Sequence, residues 1–218
     1  MSAHDTRENH RQRRSRGPSR PRSAGAAITL EKPFSMSHFY PVSFLTNIMS
    51  EYTIKPPARQ MDEFEELVYE YTTRMGLGNE EHWDVDARSC NLRFESATRG
   101  PPAKVSFLIK VTPALSNYMG NLHGGCAATL VDVLSTTILL GVSEPGKFAL
   151  GGVSRNLKLT YLRPVPTGTE ARIVCELIHV GKRLALMRAE IQKAETGDVC
   201  VVGEHEKANT DPEINQRI

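Results

Sequence analysis

The sequence predicts an α+β domain in which a mostly antiparallel sheet wraps one long, charge-poor helix, preceded by an extension that stays out of the core. Three observations predict it. From Cys126 to Leu140 the residues keep helical spacing and carry a single formal charge, Asp132. Five stretches around that helix read as strands. The opening of the chain is rich in Arg, Ser, Pro and Gly. A helix with so little charge is buried nearly all round, and strands joined by short turns close over it as a layer.

Residues 1–58 read as an unfolded extension. Residues 1–25 hold seven arginines against Asp5 and Glu8, and Pro56-Pro57 close the segment. A solvated tail, a mitochondrial presequence and a basic arm for nucleic acid all fit. No aromatics interleave the arginines, so no nucleic-acid partner is expected, and localisation is cytoplasmic or mitochondrial. The domain is expected over 59–209. It opens with an amphipathic helix over 61–75, where Phe64, Leu67, Val68, Tyr71 and Met75 recur at helical steps. Gly76 and Gly78 end that helix. Residues 79–102 read as irregular, with a break at Gly100-Pro101-Pro102.

The core is expected over 103–208. Ala103, Val105, Phe107, Ile109 and Val111 alternate with Lys104, Ser106 and Lys110, the mark of a half-buried strand. A loop with three glycines leads into the central helix. After a Pro-Gly turn at 144–147 come strand-like stretches at 151–161, 170–180, 183–193 and 198–208, separated by turn chemistry at Pro164 to Gly168, Gly181 and Gly197-Asp198. Residues 210–218 read as a flexible polar tail. Cys90, Cys126, Cys175 and Cys200 show neither CxxC pairs nor zinc spacing, so free thiols and no metal site are expected. No uninterrupted run of 18 apolar residues is present, so no membrane span is expected.

The chemistry concentrates in Asn117 to Gly125 and the helix behind it. Glycines at a helix start leave backbone N–H groups open to approach. Those N–H groups lack intrahelical partners and lie at the positive end of the dipole, which suits Gly124 to an oxyanion. Asp132 has only Ala128, Thr129, Ser135 and Thr136 as helical neighbours, none of them cationic. A buried carboxylate so placed either takes hydrogen bonds from elsewhere or has its pKa raised, as a general base requires. A satisfied structural Asp, or one exposed to solvent, fits equally. His123 reads as a turn cap or as a group that polarises a carbonyl.

Asn117, then Leu122-His123-Gly124-Gly125, then Leu130-Val131-Asp132, resembles the HGG signature of hotdog-fold thioesterases of the phenylacetate and acyl-CoA thioesterase 13 types. Gly152-Val153-Ser154, Leu159-Thr160-Tyr161, Pro164, Gly168 and Gly181-Lys182 are also similar to that family. The resemblance implies a hotdog fold and hydrolysis of an acyl-CoA or acyl-carrier thioester. It implies a homodimer or homotetramer with sites between protomers, and no cofactor, CoA being part of the substrate. It further implies Asp132 as base or nucleophile, Gly124 as oxyanion donor, and Asn117 positioning the water or the Asp. His123 then holds the carbonyl, Ser154 assists, and Tyr161, Arg163, Lys182 and Arg183 hold CoA. On charge alone Lys182 and Arg183 fit phosphates and fit a solvated hairpin tip as well. Asn156 departs from the acid that close animal relatives carry there. A hydratase on the same fold, a non-catalytic acyl-CoA binder and an RNA-associated protein are the competing functions. Leu134, Ile138 and the segment 61–90 are the expected pocket lining.

Overall fold

A computed structural model of the chain describes residues 54–75 and 89–212. The extension up to residue 53, the Gly76 and Gly78 helix stop and residues 213–218 lie outside the described residues. Residues 54–58 are described and belong to the domain. Ile54 is buried, its carbonyl accepts from the Tyr69 hydroxyl at 2.6 Å, and the Lys55 carbonyl accepts from Phe94 N at 3.2 Å. Ile54 and Lys55 therefore pack with the domain, ahead of the expected start at residue 59.

Helix α1, Glu63–Met75, starts on a capping box. Glu65 N donates to Asp62 Oδ1 at 2.8 Å, and Asp62 N donates to the Glu65 carboxylate at 3.2 Å, which satisfies N–H groups that have no helical partner. The same buried carboxylate accepts from the Arg59 guanidinium and from Ala97 N. One side chain thus starts the helix and ties it to the sheet. Phe64, Val68 and Thr72 face the core.

Six strands form one antiparallel sheet: β1 Arg93–Thr98, β2 Lys104–Lys110, β3 Val153–Tyr161, β4 Glu170–Val180, β5 Leu184–Lys193 and β6 Val199–Ala208, in the order β1-β2-β4-β5-β6-β3. β2 to β6 match the expected stretches. β1 lies where irregular chain was expected. A bulge between Phe94 and Ser96 puts its two buried side chains, Phe94 and Ala97, three residues apart, so the period of two that marks a strand is broken.

Helix α2, Gly124–Gly141, lies on the face formed by Val105, Phe107, Ile109, Met187 and Ile191, and buries Leu130, Leu134 and Ile138 against it. Its 18 residues are long and apolar enough to cross a bilayer by composition alone, yet here they form the core helix of the sheet. At its end α1 crosses so closely that a Cβ on Gly141 would meet Val68 Cγ2 at 2.6 Å. Strand β3 is an edge. Seven of its nine residues are exposed, with Leu157 and Leu159 the exceptions, so one row of its backbone groups has no neighbour among the described residues.

Candidate active site

The predicted site residues fall into two clusters along α2. The first sits at the start of the helix. His123 is the N-cap, and its Nδ1 accepts from Gly125 N at 3.0 Å. That bond puts the proton of the neutral ring on Nε2. Gly124, the first helical residue, has an N–H with no possible partner inside the helix. Its carbonyl accepts from the Tyr161 hydroxyl at 2.7 Å, and a Cβ on Gly124 would lie 3.2 Å from that ring. Asn117 Oδ1 accepts from Met119 N and Asn121 N at 3.0 and 3.2 Å and so closes the loop ahead of the helix. Only its amide NH₂ is left for a substrate or a water. Tyr118 and Met119 stand exposed beside it.

The second cluster lies two turns along. Asp132 is half-exposed: its side chain is 40% accessible, open on one side and supported on the other. Ser154 Oγ donates to Asp132 Oδ1 at 2.8 Å. His205 Nε2 is 3.1 Å from the same oxygen and 2.9 Å from Ser154 Oγ, and its Nδ1 is 2.7 Å from Ser135 Oγ. His205 is fully buried, and burial pulls its pKa down to about 4, against the pull of Asp132 upward and with a smaller push down from Lys207. The ring is therefore neutral near pH 7. Nε2–H then donates to Ser154 Oγ with Asp132 Oδ1 beside it, and Nδ1 accepts from the Ser135 hydroxyl. Ser154 thus carries the hydrogen bond to Oδ1, and His205 supports it from the same side. Among the described residues, Oδ2 has no partner.

A bulge makes this arrangement possible. Leu157 and Leu159 of β3 turn toward the helix, so strict alternation would turn Ser154 away. The register shift between Ser154 and Asn156 re-aims it at Asp132. The chain entering β3 is constrained too. Gly152 has φ +62°, and a Cβ there would lie 2.5 Å from the Ala208 carbonyl. The preceding turn is latched from the far end of the chain: Asn209 Oδ1 accepts from Phe148 N, and the Asp211 carboxylate accepts from Ala149 N and Leu150 N. Asp211 falls in the stretch read as a polar tail.

A cleft of about 450 Å³ opens beside Asp132 and Ser154, walled by Val133, Leu140, Leu150 and Val153, with Thr136 and Lys207 as its further polar members. The expected liners Leu134 and Ile138 are instead fully buried on the opposite side of the helix. A larger hollow, about 750 Å³, lies away from Asp132 among Lys110, Glu170, Arg172 and Lys193.

The four expected CoA contacts are not gathered in one chain. Ala208 pairs with both Val153 and Leu184, whereas Tyr161 pairs with Val201. Tyr161 and Arg163 therefore lie at one end of the sheet and Lys182 and Arg183 at the other, roughly seven strand residues or about 23 Å apart. Arg163 donates to the Val199 carbonyl at 2.7 Å. His205 and Lys207 were not singled out from the sequence. Their signal is in β6, where Val201, Gly203, His205 and Lys207 are the buried alternate positions and Glu204 and Glu206 point outward.

Residues 119–200 match the family model described as thioesterase superfamily. Acyl-coenzyme A thioesterase 13 of Homo sapiens is 37% identical over 106 residues, covering 49% of this chain and 73% of that protein. The Mus musculus counterpart is 36% identical over the same length. The solved structure of thioesterase superfamily member 2 from Mus musculus superposes with a TM-score of 0.56 at 28% identity, covering 68% of this chain and 98% of that one. A Haemophilus influenzae thioesterase, at 16% identity, shares the fold with a TM-score of 0.51 over 64% of this chain and 92% of its own.

Proposed function

The chain belongs to the hotdog-fold thioesterase family and is a thioester hydrolase, and from that premise we propose that it cleaves acyl-CoA with Asp132 as general base, in sites built by two copies of the chain. The observation that carries this reading is the asymmetry of the Asp132 carboxylate. Ser154 holds Oδ1 with His205 behind it, and Oδ2 has no partner among the described residues. A carboxylate oriented through one oxygen and free at the other is placed to take a proton from water.

The reaction then runs as follows. Oδ2 takes a proton as the water oxygen adds to the thioester carbonyl carbon. The resulting oxyanion rests on the Gly124 N–H at a helix start, with His123 Nε2–H and the Asn117 amide beside it. Collapse breaks the carbon–sulfur bond, and the leaving thiolate recovers the proton from Asp132. The products are a free acid and CoA. A carrier-bound acyl chain would present the same thioester to the same groups.

One chain does not supply both halves. Gly124 and Asp132 are eight residues apart on α2, about 12 Å at 1.5 Å per residue, whereas water, carbonyl carbon and oxyanion donor must lie within about 3 Å of one another. The open edge of β3 supports the solution. Pairing β3 with β3 of a second copy about a two-fold axis is antiparallel, and it sets the Ser154 end of one chain against the Tyr161 end of the other. Asp132 of one copy then meets Gly124 of the next. The same pairing brings Lys182 and Arg183 of one copy toward Tyr161 and Arg163 of the other, where the cations fit CoA phosphates. A homodimer is thus the minimum, and two such dimers give the tetramer.

The test is thiol release from acyl-CoAs of short to long chain, with wild type and Asp132→Asn compared as folded oligomers. Turnover that vanishes in the variant supports the reading. Turnover that survives it removes Asp132 from the mechanism.

A further inference from the structure

Lys207 is a chemical group of the cleft for which hydrolysis has no use. It lies two residues past His205 on β6, so strand alternation turns it to the same inward face. It is 5% exposed, and its ammonium donates to Thr136 Oγ1 at 3.1 Å. Thr136 Oγ1 donates in turn to the Asp132 carbonyl at 2.8 Å. An ammonium has three N–H donors. With Thr136 taking one, two are left at a cleft that Asp132 and Ser154 line at one side and Val133, Leu140, Leu150 and Val153 wall elsewhere. Burial pulls the Lys207 pKa down, with Asp132 opposing. Buried donors left without a partner are costly, and a purely hydrocarbon occupant of this cleft would displace water from them and offer nothing in return.

We infer that the acyl group this cleft accepts carries an oxygen acceptor, a hydroxyl or oxo group, beyond the thioester carbonyl, and that Lys207 is the residue that reads it. This rests on hydrolysis at Asp132 as proposed above. Thr136 is one helical turn from Asp132, about 5.4 Å along the axis, so the reading point lies a few bonds down the acyl chain and not at the reacting carbon. Specificity follows from the unpaired state. An acyl group without the acceptor leaves the donors unsatisfied, and one with it satisfies them.

The experiment measures kcat/KM for hexanoyl-CoA, 3-hydroxyhexanoyl-CoA and 5-hydroxyhexanoyl-CoA with the full-length protein and Lys207→Met. The expected result is a wild-type preference for a hydroxylated ester of at least about tenfold, the scale of one charge-assisted hydrogen bond, which falls to near unity in the variant. A variant that slows all three esters by one factor and keeps the preference overturns the assignment, because Lys207 would then act only through Asp132. Should Lys207→Met fail to fold, the wild-type ratio decides. A wild type that hydrolyses hexanoyl-CoA without favouring a hydroxylated ester overturns the Lys207 reading and leaves the hydrolase reading standing. A wild type inert on all three overturns acyl-CoA hydrolysis and this inference with it.

Discussion

His205 Nε2 stands 3.1 Å from Asp132 Oδ1, the imidazole fully buried and the carboxylate 40% exposed. A neutral buried ring braces the exposed carboxylate proposed as the base from behind. It fixes which oxygen is held and which is free, without adding a charge that would weaken the base.

Asp132→Asn removes the proton acceptor and keeps the shape. The kcat for acyl-CoA hydrolysis should fall by about 10²- to 10⁴-fold, the range of general-base catalysis, while the oligomer measured by light scattering is unchanged. Full activity in the folded variant would exclude the base assignment.

Ser154→Ala and His205→Gln each loosen the hold on Oδ1 without removing the base. Each should lower kcat by about tenfold, with KM little altered, because the interaction orients the attacking water and not the bound acyl chain. The double variant should lose less than the product of the single losses, since His205 bonds Ser154 and the two support one oxygen. Strictly multiplicative losses would argue for independent roles.

Shared sites allow complementation. Gly124→Val, crowded by Tyr161 at 3.2 Å, and Asp132→Asn should each be inactive alone. In a mixed dimer one site carries both defects and the other neither. Co-folding the two inactive proteins should therefore restore about a quarter of wild-type activity, given half heterodimers with one good site each. No recovery in proven heterodimers would place both residues in one chain's site.

Acid should unfold the protein in two stages. The folded-state pKa of His205 lies near 4 against an ordinary 6.5. Between those values the unfolded chain takes up a proton that the folded one refuses, so stability falls as pH is lowered through that window. Glu65 is held at about 2 against 4.5, chiefly by Arg59. Its contribution is full above pH 4.5 and is lost as pH falls toward 2. Urea midpoints measured from pH 7 to 2 should decline over both intervals. Replacing His205 by Gln should flatten the upper one and leave the lower.

The sheet and both helices were legible because their alternation is regular, and Gly124 and Asp132 stood out because a charge-poor helix behind a glycine pair is unusual. What escaped was structure whose signal depends on a second element. β1 was hidden by the bulge at Phe94 and Ser96. His205 and Lys207 looked like ordinary strand polars until β6 turned them against α2. Leu134 and Ile138 were expected in the pocket because they are apolar. The orientation of α2 sends them to the sheet and gives the cleft Val133, Thr136 and Leu140 instead, a rotation that helical spacing alone does not fix. The separation of Asn117, His123 and Gly124 from Asp132 and Ser154 follows only from helix rise.

The bare edge of β3 has a consequence for solubility. A lone chain would carry Val153 and Tyr161 beside unsatisfied backbone groups, a template for indiscriminate strand addition. The proposed self-pairing would close that template in the same step that completes the two sites. Substitutions that weaken the pairing should then appear first as precipitate and loss of yield, before any enzyme survives to be assayed as slow.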